Sequence, residues 1–345
     1  MKIKLIPTAL CLITPFLLAN NAQAEGKLTV YCSAQHSTCE KIVQTFGNKY
    51  NIDTKFVRNS TGATLSKIKS EQYNPQADVW FGGTIEPHFQ AGDLGLLEPY
   101  RSPKQSETMK QFQSLLDKKG DLTSIIYMLV LGFGVNTERF EQLGIPKTDY
   151  PKCWNDLLDP RLKGHVQLPD PQLSGTTYTV IATLIELWGE EKAFEFLRKL
   201  DANVSQYVKS AQVTTNLARG ESAVSVGFVH SYATEKEKGA KIESILPCDG
   251  DSYSLGGLSI IKGTRNLDNA KLFVDWALSK EAQEIPWRDT GVYQIPTNVN
   301  AQAAPQSVDP KTLKLIDIDF ERFGKAEEGK RLIERWVKEI KLKQY

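Results

Sequence analysis

Residues 27–83 alternate three strand-like runs with two helix-like ones, and no other feature of the chain constrains its fold so tightly. The runs at 27–31, 54–58 and 77–81 are short and rich in β-branched and aromatic residues, which suits half-buried or buried strands. Between them, 39–50 and 63–71 carry apolar residues at helical spacing, with Leu65 and Ile68 sharing one face of the second. Strands separated by helices build βαβ units, so the alternation selects an α/β fold on a mostly parallel sheet. Open sheets of this kind bind ligands beyond the carboxyl ends of their strands, and the turns there are where function is expected.

The pattern resumes downstream. Residues 125–135 form the longest apolar run after the N-terminal segment and read as a strand crossing between two lobes. A second α/β set follows: strand 165–168, loop 169–173, helices 177–189 and 191–200, and strand 223–229, which delivers His230. Strand 255–261 returns, helix 269–279 packs Phe273, Trp276 and Ala277 inward, and the tail from 309 to 343 is mainly helical. A chain of 345 residues is long enough to split into two domains. The expected division gives residues 25–127 with 257–294 to the first lobe and 128–256 with 295–345 to the second, the lobe of the tail being open.

Residues 1–24 read as a secretory signal: Lys2 and Lys4, an apolar stretch, then Ala22-Gln23-Ala24 as a cleavage site. Cys11 lies inside the apolar stretch behind Leu10, where a lipidation motif wants a small residue. Export implies the periplasm, and no later stretch reaches spanning length. Without Lys2 and Lys4, acids and bases are nearly equal in number, which argues against general nucleic-acid or anionic-membrane binding. Cys32, Cys39, Cys153 and Cys248 remain, an even count that suits disulfides in an exported chain. Three pairings are open; Cys32–Cys39, closing a short loop, with Cys153–Cys248 is the favoured one.

Two of the strand-end turns are crowded with hydroxyls and glycine: Ser60-Thr61-Gly62-Ala63-Thr64 and Ser174-Gly175-Thr176-Thr177. Each opens a helix, where free N–H groups and the helix dipole favour negative charge. Such residues are also ordinary helix caps. Together, in two halves of an exported chain, they suggest a cleft that grips a small anion from both sides. Ser33 and Gln35 follow the first strand and face the same crevice, as does Thr84 after Gly82-Gly83. His230, with Ser231 beside it, and Lys209 stand at the corresponding ends in the second half. Arg58 precedes the first run and suits either an anion or a structural ion pair.

Catalysis and metal binding find little support. No nucleophile elbow, HExxH, H-x-x-H or EF-hand pattern occurs, the tyrosines are dispersed with no adjacent pair, and no cofactor or metal is expected. Iron(III) capture is the alternative reading, and an exported phosphatase a remote one.

Seven segments together resemble a known family: 28–35, 60–64, 78–84, 131–136, 153–154, 174–176 and 260–263. The chain resembles the periplasmic substrate-binding proteins of ABC importers, in the iron(III)/hexose-phosphate (AfuA-type) group. The resemblance implies two lobes of the type II periplasmic binding fold closing on one ligand by a hinge, no catalysis, and a membrane permease and ATPase as partners. In the sugar-phosphate members, hydroxyls and helix starts hold the phosphate, matching Ser33, Ser60, Thr61, Ser174, Gly175 and Thr176 here. A His-Asp pair and a Glu hold the sugar. His230 matches the His, but Ser231 stands at the Asp position and Ser254 at the Glu position. The resemblance implies a phosphorylated solute, and these two departures imply a changed specificity, for a different sugar phosphate or for a smaller and more anionic organophosphate.

Overall fold

The computed structural model describes residues 26–344; the expected leader at 1–24 lies outside the described residues. The opening alternation is realised as β1 (Lys27–Cys32), α1 (His36–Tyr50), β2 (Asp53–Arg58), α2 (Thr61–Ser70), β3 (Val79–Thr84) and α3 (Ile85–Asp93). After the short β4 (Leu97–Glu98) and α4 (Gln113–Lys119) comes β5 (Ser124–Asn136), all thirteen of whose residues are buried. The second half comprises α5 (Thr137–Gln142), β6 (Val166–Pro169), α6 (Gly175–Trp188), α7 (Glu190–Asp201), β7 (Val204–Val208), α8 (Ser210–Ala218) and β8 (Val224–Phe228). Then follow α9 (Val229–Glu237), β9 (Ile242–Ile245), β10 (Tyr253–Ile261), α10 (Leu267–Ala277), α11 (Lys280–Thr290) and β11 (Ile295–Pro296). The tail holds α12 (Phe320–Phe323) and α13 (Ala326–Glu339).

The sheet order is β2-β1-β3-β10-β5-β8-β6-β7. Its two ends are parallel, β1 with β2 and β3, and β6 with β7 and β8. The middle is antiparallel, β10 with β3 and β5, and β5 with β8. The sheet is therefore mixed, a correction to the mostly parallel expectation. The reason is the crossing strand: β5 pairs β10 through Val130 and β8 from Leu131 onward, so one strand belongs to both halves. A thirteen-residue strand spans about 43 Å, twice an ordinary strand.

Each half has its own packing. On one side α1 buries Ile42, Val43 and Phe46, and Phe46 meets Phe273 edge to face at 4.9 Å. On the other, Trp154 packs edge to face on Phe133 at 5.1 Å. Both disulfides take the favoured pairing, Cys32–Cys39 and Cys153–Cys248. Glycines at 82 and 83 have φ of +78° and +88°, a conformation that favours glycine, and they turn β3 sharply into α3.

The tail touches both halves. Gln90 Nε2 donates to the Phe323 carbonyl at 3.2 Å and Ala326 N to Asp93 at 3.1 Å, both on α3. On the other side Arg331 and Arg335 pair with Glu190, while Trp336 lies edge to face on Tyr207 at 4.9 Å.

Candidate functional site

A cleft of about 450 Å³ opens where the strand ends of the two halves meet. The starts of α1, α2, α8 and α9 all reach its wall, through Gln35, Thr61, Ser210 and His230 respectively. Four helix N-termini converging on one cavity favour negative charge there.

The two hydroxyl-glycine runs meet across this junction. Ser60 makes no side-chain cap to α2. Instead the Leu173 carbonyl, on the loop before α6, accepts from Gly62 N at 3.0 Å and Ala63 N at 3.4 Å. In the second run Ser174 caps its own helix: Thr176 N donates to its Oγ at 3.2 Å, and Ser210 Oγ lies 2.6 Å away. The contact is close because both runs carry glycine. A Cβ on Gly62 would stand 3.0 Å from the Leu173 carbonyl, and one on Gly175 would stand 2.0 Å from Thr84 Oγ1.

A second contact crosses the cleft at the start of α1. Gln35 Nε2 lies 2.8 Å from His230 Nε2 and 3.2 Å from Ser231 Oγ. Burial holds the His230 imidazole down near a pKa of about 3, so it stays neutral at physiological pH. Ser231 Oγ is 3.2 Å from the same ring nitrogen. That pair does not make a nucleophile and base: the ring is a weak base, and its Nδ1 has no orienting partner.

The charges of the wall are uneven. Lys238 pairs with Glu235 at 2.8 Å. Arg58 is half-buried, spends its Nε on the Ala34 carbonyl at 3.1 Å, and meets no carboxylate among the described residues. Burial lowers its pKa, the expected direction for a cation losing water without gaining an anion. The structural ion-pair reading of Arg58 is thereby removed. Ser33 is fixed by Trp80 Nε1, which donates to its Oγ at 3.0 Å, and by Thr64 Oγ1 at 3.0 Å. The Thr84 hydroxyl is buried in the wall beside the Glu86 carboxyl.

Of the residues expected from sequence, Ser33, Gln35, Ser60, Thr61, Thr84, Thr176, His230 and Ser231 line the cleft. Gly62, Ser174, Gly175, Lys209 and Ser254 stand outside the lining. Gly62, Ser174 and Gly175 are taken up by contacts between or within the runs. Lys209 is exposed just ahead of α8. Ser254 is fully buried on β10 and donates to Glu86 at 3.0 and 3.2 Å.

Sequence reasoning missed the apolar wall: Tyr127 and Leu129 on β5, Val226 and Phe228 on β8, and Val292 after α11. Position in strand β5 was the only available signal for Tyr127. Its hydroxyl accepts from Gly83 N at 2.7 Å, and burial raises its pKa. It is the one tyrosine among the described lining residues, and a neutral phenol already accepting a hydrogen bond is a poor ligand for a ferric ion. The acidic and sulfur groups at Cys153, Cys248 and Asp249 cluster within 4.8 Å, but both sulfurs are in the disulfide.

The profile of the bacterial extracellular solute-binding proteins matches residues 75–322. The chain belongs to this family. The solute-binding chain is 63% identical to a solved periplasmic binding protein, P5PA, covering 92% of this chain and 100% of that one at a TM-score of 0.90. It is 54% identical to AfuA of Actinobacillus pleuropneumoniae, solved with exogenous fructose-6-phosphate bound, covering 92% and 99% at a TM-score of 0.90. Iron-bound HitA of Pseudomonas aeruginosa shares the fold at a TM-score of 0.75 and 23% identity, covering 90% and 98%.

As a solute-binding protein of this kind it has the type II periplasmic binding fold and serves an ABC importer, with a permease and an ATPase as partners. Family members are transport proteins that hold a small solute rather than transform it. Among the described residues no helix is long and apolar enough to cross a membrane.

Proposed function

We propose that this protein captures a small phosphorylated organic solute in the periplasm and presents it to its permease. The observation that carries this reading is Arg58, a cation in the cleft wall with no carboxylate partner among the described residues. A partly desolvated guanidinium beside helix N-termini is suited to a phosphate, which it grips with two parallel N–H donors. Ser33, Thr61, Thr84 and Thr176 offer hydroxyls around the same space. The likeness to AfuA, solved with fructose-6-phosphate bound, supports the same ligand class.

The far side of the cleft supports an organic part other than a hexose. Ser231 offers one uncharged hydroxyl where the resemblance implies an acid, and Ser254 is turned away onto Glu86. Tyr127, Leu129, Phe228 and Val292 present apolar surface instead. Sugar hydroxyls facing that wall would lose water without gaining acceptors. The lobe division at 25–127 with 257–294 and 128–256 with 295–345 fits this reading, with the ligand between them.

Mass spectrometry of the solute that co-purifies with native protein, followed by calorimetry on refolded ligand-free protein, tests the proposal. A phosphorus-containing solute that binds more tightly than hexose 6-phosphates or inorganic phosphate is expected. Tight binding of a solute without an anionic group overturns the phosphate assignment, and equal affinity for hexose 6-phosphates overturns the changed specificity.

A further inference from the structure

We propose that Glu86 couples closure of the two lobes to uptake of a proton, so that the protein closes more readily on the acid side of neutrality and opens as the pH rises. Glu86 stands in the first turn of α3 and is fully buried behind Thr84. Its carboxyl group meets its own backbone N–H and hydroxyls, that of Thr84 among them. Ser254 Oγ, on β10, lies 3.0 and 3.2 Å from its two oxygens, and Thr179 Oγ1, on α6, lies 3.4 Å away. The α6 contact comes from the other side of the cleft, next to the turn where Gly175 abuts Thr84.

No charged side chain offsets this burial. A carboxylate removed from water without a cation is unstable relative to its neutral acid. The hydroxyls and the start of α3 favour the anion, but desolvation outweighs them and pushes the Glu86 pKa up to about 7. The neighbouring groups do not compete for the proton. His88, on the same helix, is held near a pKa of about 3 by burial. Tyr178, beside Thr179 on α6, is raised far above neutrality by burial first and then by the Glu86 charge, with Glu328, Arg322 and Arg331 from the tail acting on the same phenol. Thr84 on β3 and Ser254 on β10 do not titrate.

Opening withdraws Thr179 and admits water, which returns Glu86 toward the ordinary carboxyl range. The closed form then binds the proton more tightly than the open one. The closing equilibrium is expected to fall about tenfold per pH unit between about pH 4.3 and 7 and to level off above. This inference rests on the reading of the cleft as a solute site that closes, and not on which solute it takes.

The test is small-angle scattering of the full-length mature chain without ligand, from about pH 4.5 to 8. The wild type is expected to expand as the pH rises, whereas Glu86→Gln, which mimics the neutral acid, stays compact throughout. Ser254→Ala removes a donor to the buried carboxylate, which weakens the closed anion and leaves the closed acid alone: its radius is expected to match the wild type at about pH 4.5 and to be at least as large at about pH 8. A wild type of constant radius, or a Glu86→Gln variant that follows the wild-type curve, overturns the proposal. Should Glu86→Gln fail to fold, Ser254→Ala decides: a variant whose radius no longer depends on pH, or one more compact than the wild type at about pH 8, overturns it. A protein that shows the transition yet binds no phosphate ester would overturn the ligand class and leave the proton coupling intact.

Discussion

The carbonyl of Leu173 accepts a hydrogen bond from the backbone N–H of Gly62 at 3.0 Å. One residue ends the loop before α6 and the other opens α2, so this bond joins the two lobes. It places a carbonyl dipole where an isolated helix start would take an anion. The α2 start is thus tied to the loop before α6, which leaves the neighbouring helix starts and Arg58 free to face the cleft.

Gly62→Ala follows directly. Alanine is favoured over glycine within a helix by about 0.5–1 kcal/mol, so the open protein is expected to gain stability. Its Cβ would meet the Leu173 carbonyl at 3.0 Å and hinder closure. Calorimetry and thermal unfolding together should show affinity down and melting temperature up.

Removing the Arg58 cation has a different signature. Arg58→Gln is expected to weaken phosphate-ester binding by about 1.5–3 kcal/mol, the range for a charge-assisted hydrogen bond. It should also flatten the dependence of affinity on salt, measured by calorimetry at low and high ionic strength. An unchanged affinity would return the anion grip to dipoles and hydroxyls alone.

The two disulfides should separate stability from binding. Cys32–Cys39 stiffens the turn that carries Ser33 and Gln35. Replacing both by serine is expected to lower affinity more than it lowers the melting temperature. Cys153–Cys248 closes a separation of 95 residues away from the cleft lining. Its removal is expected to cost about 2–4 kcal/mol of stability, read by denaturant unfolding, with affinity kept.

Acid stability reports the buried histidines. His88 and His230 are held near a pKa of about 3 in the folded chain, against about 6.5 when unfolded. The unfolded state binds more protons between those values, so their contribution is present above about pH 6.5 and is lost as the pH falls toward 3. Each adds a slope of up to about 1.4 kcal/mol per pH unit, which Glu86, with its raised pKa, partly opposes between about 4.3 and 7. Unfolding at a series of pH values should show the His88→Asn slope reduced by one proton.

Much of the fold was legible because it depends on local pattern. Residues 27–31, 54–58 and 77–81 became β1, β2 and β3 to within three residues at each end, since short β-branched runs between amphipathic segments admit few other structures. The mixed sheet was not legible, because strand direction in the middle depends on which partners β5 and β10 find across the chain. The site divides along the same line. Hydroxyls at strand ends singled out Ser33, Thr61, Thr176 and Ser231, which line the cleft. Tyr127 and Phe228 gave no local sign, being apolar strand residues like their neighbours until the fold set one face on the cavity.

The sequence by itself determined the α/β alternation, the two hydroxyl-glycine helix starts and the even set of cysteines, all fixed by periodicity, capping chemistry and redox setting. Only the tertiary structure decided that one of those helix starts is capped by the Leu173 carbonyl, that Arg58 meets no carboxylate among the described residues, and that Ser254 faces Glu86 instead of the cleft. Those are facts of pairing across long sequence separations. Burial and the presence or absence of a partner set the energy of a polar group, and neither can be read from its neighbours in the chain.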